Sequence, residues 1–170
     1  MTLIVCSLSD MPGVVRRRGA SHLVTLIDPG TPVERPLDVP ESRHLRLDLF
    51  DIVTPAEGFA PPDMASVAKL LEFSRTWDAS SPMVVHCFAG ISRSTASAFA
   101  IACDRNPDVD EDLIATAMRQ AASHAYPNRR IIALADDLLG RRGRMIEAIE
   151  AIGGNNFTPT GVPFDLPVRF

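Results

Sequence analysis

Cys87 and Arg93 stand six positions apart, with His86 just before the cysteine, Gly90 midway and Ser94 directly after the arginine. A thiolate is a nucleophile, and the planar fork of a guanidinium matches the oxygens of a tetrahedral oxyanion. Between them Phe88, Ala89, Gly90, Ile91 and Ser92 supply backbone N–H groups, and Gly90 lets the backbone turn back on itself. A thiolate and a guanidinium facing one anion make a nucleophile plus a phosphoryl clamp.

The flanking residues indicate how such a pair would be held. Met83-Val84-Val85 is a short apolar run, and Ala96 to Ala102 is an apolar segment of mostly small residues, so the stretch reads as strand, tight loop, helix. A helix beginning near Arg93 points its unpaired N–H groups into the loop. Its positive end and the guanidinium together favour the thiolate of Cys87.

The run HCFAGISRS resembles the His-Cys-x5-Arg-Ser/Thr signature of protein tyrosine and dual-specificity phosphatases. A bare Cys-x5-Arg is cheap in a chain with three cysteines and sixteen arginines. Requiring the preceding His, the central Gly and the trailing Ser makes an accidental match roughly a one-in-ten-thousand event at ordinary residue frequencies. Neither Cys6 nor Cys103 is followed by an arginine at the sixth position, so the low-molecular-weight phosphatase pattern is absent.

The resemblance implies double displacement. Cys87 attacks phosphorus to form a cysteinyl-phosphate, a carboxylic acid protonates the leaving oxygen, and water then releases phosphate. Arg93 and the N–H groups of Phe88, Ala89, Gly90, Ile91 and Ser92 would hold the equatorial oxygens, where charge accumulates. Ser94 would donate to the Cys87 sulfur and help it leave, and His86 would tune and orient the loop. No metal or other cofactor is implied.

The acid is expected to be Asp51. In open α/β sheets ligands sit at the carboxyl ends of the strands. Cys87 follows the run 83–86 and Asp51 follows the run 44–49, so as parallel neighbours about 4.8 Å apart the two strands would bring both side chains to one rim. The resembled family carries its acid on a mobile loop some thirty-odd residues before the cysteine, and Asp51 lies thirty-six before Cys87. Asp48 falls inside the strand and is expected to face away, and Asp63 reads as a helix cap.

Length and composition bound these readings. The 170 residues suffice for one domain with a real core, and 46% apolar with 22% charged content is ordinary globular composition. A net charge of −4 argues against a general nucleic-acid partner. Three cysteines are too few and too odd for a disulfide scaffold, which points to a reducing compartment. The first residues lack a basic leader, and no run reaches the length of a membrane span, so a cytoplasmic location without membrane contact is expected. His22, His44 and His124 lack metal-ligand spacing. Arg16-Arg17-Arg18 reads as a solvated face, and Cys103 as a packing residue with a lesser reading as a redox partner of Cys87.

Along the chain, strands are predicted at 2–6, 22–27, 44–49 and 83–86. Helices are predicted at 14–20, 64–77, after the signature, at about 110–123, at 129–139 and at 142–152. Proline-rich loops fill 28–42 and 53–62. This order implies an α/β fold, protein tyrosine phosphatase-like, with a mostly parallel central sheet of about four or five strands flanked by helices. One domain is expected over 1–152, followed by an extended tail over 153–170.

The expected substrate is a phosphorylated protein, with phosphotyrosine or dual specificity, or else a small phosphate. Phosphoinositide enzymes resembling this family often carry basic residues between the Cys and the Arg, and Phe-Ala-Gly-Ile-Ser has none. A non-catalytic phosphate-binding module is the reading from another class. Such modules usually lose the Cys or the Arg, and this chain has both.

Overall fold

The computed structural model describes Met1–Phe170. Its centre is a five-stranded sheet in the order β3 (His44–Asp48), β2 (His22–Ile27), β4 (Met83–His86), β1 (Thr2–Cys6) and β5 (Phe164–Pro167). The first four strands run parallel, and β5 joins β1 antiparallel. Parallel strands need crossover helices, and these cover both faces. That is why the inner strands read as nearly continuous apolar runs.

The period of two along each strand sorts the core into two layers. Leu3, Val5, Val24, Leu26, Met83 and Val85 point into the larger cluster, whereas Ile4, Cys6, Leu23 and Val84 point into a smaller one. The smaller layer is closed by α1 (Met11–Arg18) through Met11, Val14 and Val15. The larger layer is closed by α2 (Met64–Thr76), α3 (Arg93–Arg105), α4 (Glu111–Ala121), α5 (Arg129–Leu138) and α6 (Arg144–Ala151).

Helix α3 lies in the middle of that layer, touching α2, α4 and α5 as well as β4 and β1. Every residue from Arg93 to Cys103 is buried. The small side chains of Ala96, Ser97, Ala98, Ala100 and Ala102 let its backbone come close to its neighbours, and Phe99 and Ile101 fill the remaining space. Burying each of these two contributes about 1.5–3 kcal/mol. Side-chain caps set the starts of α2, α4 and α5. Asp63 accepts the Ser66 amide at 2.8 Å, Asp110 accepts that of Asp112, and Asn128 accepts those of Arg130 and Ile131.

Two expectations are corrected. First, β3 is not the neighbour of β4, because β2 lies between them. Second, residues 153–170 are not a tail outside the domain. Phe164–Pro167 is a strand of the sheet, with Phe164, Leu166 and Val168 in the main core. Its Phe-Asp-Leu-Pro alternation gives one buried face, and Asp165 on the other face forms a bidentate ion pair with Arg18. No helix is long and apolar enough to cross a membrane.

Candidate active site

Cys87 emerges directly from the end of β4, the central strand, and is 1% exposed. Its Sγ lies 3.1 Å from Ser94 Oγ and accepts the Gly90 amide at 3.3 Å. Gly90 is required on two counts. Its φ is +74°, and a Cβ there would sit 2.7 Å from the carbonyl carbon of Cys6. The loop therefore turns tightly against the end of β1.

The loop carbonyls are tied to other segments. Phe88 O accepts Leu8 N at 3.0 Å, Ala89 O accepts Gly161 N at 2.8 Å, Ile91 O accepts Tyr126 N at 2.9 Å, and Ser92 O accepts Asn128 N at 3.2 Å. A trans peptide carries its N–H on the side opposite its C=O. Holding the carbonyls against the surrounding segments thus turns the amide hydrogens toward the loop interior, which is the electrostatics an anion needs.

Arg93, the first residue of α3, is 3% exposed. Its Nη1 donates to Asp28 Oδ1 at 2.5 Å and to the Leu49 carbonyl at 2.7 Å. Asp28 follows β2 and Leu49 follows β3, so the ends of two strands fix one side of the guanidinium. Its Nε is buried without a hydrogen-bond partner. Ser92 precedes the helix but makes no side-chain cap, and its hydroxyl instead donates to Asp51 Oδ1 at 2.7 Å.

Asp51 does reach the site, by a route other than strand adjacency. Leu49 N donates to Ile27 O at 2.9 Å, which keeps the chain on β2 beyond the end of β3. Asp51 then accepts from Ser92 Oγ and, at 2.8 Å, from Asn128 Nδ2, both on Oδ1. Its Oδ2 lies 3.7 Å from Arg93 Nε. Asp48 is exposed and pairs with Arg46, and Asp63 caps α2.

His86 is fully buried. Its Nε2 is 2.8 Å from Thr25 Oγ1, and its Nδ1 is 3.3 Å from the Cys87 carbonyl. Burial pushes its pKa down from 6.5 to about 4, so the imidazole is neutral at pH 7. Cys6 and Cys103 are buried free thiols, and burial pushes Cys6 up to about 12.

A cleft of about 530 Å³ opens beside the loop, lined by Asp51, Val53, Ser92, Tyr126, Asn128 and Arg129 among others. Phe88 on the loop and Tyr126 on the cleft wall are exposed apolar surfaces. No group of three or more His, Cys, Asp or Glu side chains is placed to hold a metal ion. Sequence reading missed Asn128, Asp28, Thr25 and Gly161. As sequence, Pro127-Asn128 reads only as the start of the helix at 129–139, and Asp28-Pro29-Gly30 only as the end of the strand at 22–27. Neither signal reports a contact across the fold.

The protein-tyrosine phosphatase family profile matches residues 40–128, more than half of the chain. The chain belongs to that family. It is a protein tyrosine phosphatase-like phosphomonoester hydrolase, and its fold is that of the solved dual-specificity phosphatases. A mouse putative dual specificity phosphatase complexed with zinc tungstate is 20% identical, with 86% of each chain covered and a TM-score of 0.62. DUSP15 is 17% identical, with 93% of this chain and 94% of that chain covered and a TM-score of 0.62. PTPMT1 in complex with PI(5)P is 16% identical, with 82% and 91% covered and a TM-score of 0.62. No curated protein sequence matches the phosphatase. At these identities the solved structures speak to its fold alone.

Proposed function

We propose that this phosphatase hydrolyses phosphotyrosine, or phosphotyrosine together with phosphoserine and phosphothreonine, in protein substrates through a cysteinyl-phosphate. The observation that carries the reading is the surroundings of the Cys87 sulfur. A hydroxyl and a backbone amide both touch it, and the guanidinium that begins the adjoining helix keeps a buried Nε–H free of any hydrogen bond.

In the first step the Cys87 thiolate forms a bond to phosphorus while the bond from phosphorus to the leaving oxygen breaks. Asp51 gives that oxygen its proton. Because Asp51 Oδ1 already accepts two hydrogen bonds, the proton resides on Oδ2, the oxygen nearer Arg93. In the second step Asp51 takes a proton from water, the water oxygen bonds to phosphorus, and the phosphorus–sulfur bond breaks. Ser94 stabilises the departing thiolate through its hydroxyl. Arg93 and the loop amides hold the equatorial oxygens throughout, so catalysis is positioning plus electrostatics.

A lipid or small-molecule phosphate is the second reading. It is prompted by the fold shared with PTPMT1, whose structure is in complex with PI(5)P, while the uncharged insert Phe88–Ser92 supports protein substrates. Hydrolysis of an aryl phosphate, phosphopeptides and phosphoinositides, with a chelator present, tests the proposal. Wild type should turn over phosphopeptides, Cys87→Ser should be inactive, and Asp51→Asn should lose roughly 10²–10⁴-fold in rate on substrates with poor leaving groups. Turnover of phosphoinositides alone would favour the second reading. Binding of phosphate without turnover would make the chain a non-catalytic module.

A further inference from the structure

Three neighbouring strands place three polar side chains on one face of the sheet. Thr25 of β2 is the register partner of His86 on β4 and of Arg46 on β3, and His44 lies two residues before Arg46 on the same side. The side chains meet there. Thr25 Oγ1 is 2.9 Å from His44 Nε2 and 2.8 Å from His86 Nε2. Thr25 and His86 are completely buried, and His44 is half-buried at the sheet edge.

The proton positions along this chain follow from its inner end. The Cys87 carbonyl can only accept, so His86 Nδ1 must carry the hydrogen that faces it. A neutral imidazole with its proton on Nδ1 has a lone pair on Nε2, which accepts the Thr25 O–H. The one hydroxyl proton is then used, and Thr25 Oγ1 accepts from a protonated His44 Nε2. Every hydrogen has one place. Apart from one another, the charged groups nearest these imidazoles are Arg35 and Arg46 for His44, and Arg46 and Arg93 for His86; each disfavours a second proton on the rings.

We propose that Thr25 and His44 are positioning residues for the nucleophile: the His44–Thr25–His86 chain anchors the His86 ring at Nε2 so that its Nδ1–H stays on the Cys87 carbonyl, and with it the direction of the Phe88 amide hydrogen that opens the loop. The proposal rests on the hydrolytic reading above for its consequence in catalysis, but the lock itself is a property of the free protein. Without the threonine hydroxyl, His86 Nε2 loses its donor and the ring is held through Nδ1 alone, so it can rotate and break its bond to the carbonyl. The Cys87–Phe88 peptide loses its restraint, and one amide of the cradle is no longer aimed.

Nitrogen chemical shifts of the histidine rings in the free, ¹⁵N-histidine-labelled protein at pH 7.5 test the lock without substrate or variant. Wild type should show His86 protonated only on Nδ1 and His44 only on Nε2. A His86 proton on Nε2 would overturn the proposal. Thr25→Val should broaden or abolish the hydrogen-bonded His86 Nδ1–H proton resonance and lower kcat roughly tenfold, and Thr25→Ser should restore both. A Thr25→Val protein that keeps the sharp wild-type Nδ1–H resonance at His86, or one whose rate Thr25→Ser fails to restore, would also overturn it. Wild type with the stated ring protons but no hydrolysis would leave the lock in place and refute the catalytic reading instead.

Discussion

Asn128 Nδ2 donates to Asp51 Oδ1 at 2.8 Å while its own Oδ1 accepts the amides of Arg130 and Ile131 at 3.1 and 3.2 Å. One buried amide thus starts α5 and holds the carboxylate proposed as the acid. The two tasks separate by substitution. Asn128→Ser keeps a capping oxygen and loses the reach to Asp51, and Asn128→Ala loses both. Both variants should slow hydrolysis of an alkyl phosphate roughly 10–100-fold, since a misplaced acid fails where the leaving group most needs a proton. Only Asn128→Ala should lose about 1 kcal/mol of stability in urea titration. Wild-type rates for Asn128→Ser on alkyl phosphates would remove Asn128 from the site.

Gly161 crosses behind the signature loop, bonded to Ala89 O. A Cβ there would lie 2.6 Å from the His124 ring and 3.0 Å from Gly90 O. Gly161→Ala should therefore lift this segment off the loop, costing about 1–3 kcal/mol in thermal unfolding and lowering kcat/KM. Truncating the ring opposite relieves the overlap, so Gly161→Ala combined with His124→Ala should be less damaged than the two single effects added. Simple additivity would show that the contact does not couple the segment to the loop.

These two contacts show what the residues reveal before folding. The thiol, the guanidinium and the loop that joins them were legible because Cys87 to Arg93 is one continuous segment whose turn geometry is local. Three of the parallel strands, β1, β2 and β4, were legible because they are buried on both faces and read as apolar runs, and β3 was legible because its leucines alternate with polar residues. The strand order was not, since the loops between strands do not say which edge each strand joins; Asp51 was placed at the rim on the assumption that β3 adjoins β4, whereas β2 intervenes. Strand β5 was missed because three residues between prolines, Pro163 and Pro167, look like a linker until β1 supplies a partner. Asn128, Thr25 and Asp28 act through contacts spanning 77, 61 and 65 residues, respectively, and such distances carry no local signature.

The buried histidine makes stability depend on pH. His86 has a pKa of about 4 in the folded protein against 6.5 as an ordinary histidine, so between those values the unfolded chain binds a proton that the folded chain refuses. Stability from this group is fully present above about pH 6.5 and falls as the pH drops toward 4, by on the order of 3 kcal/mol. Burial lowers His22, His44 and His124 as well, so they act in the same direction. Urea midpoints measured from pH 7.5 down to 4.5 should decline, and the decline should be smaller in His86→Gln. An equal decline in both proteins would mean that His86 titrates normally in the fold.

The covalent intermediate is the most direct test of the whole account. Wild type mixed with ³²P-labelled aryl phosphate and quenched in acid within the first turnover should carry label on the peptide containing Cys87, and Cys87→Ser should carry none. Hydrolysis by wild type with no label on that peptide, or undiminished turnover by Cys87→Ser, would contradict it.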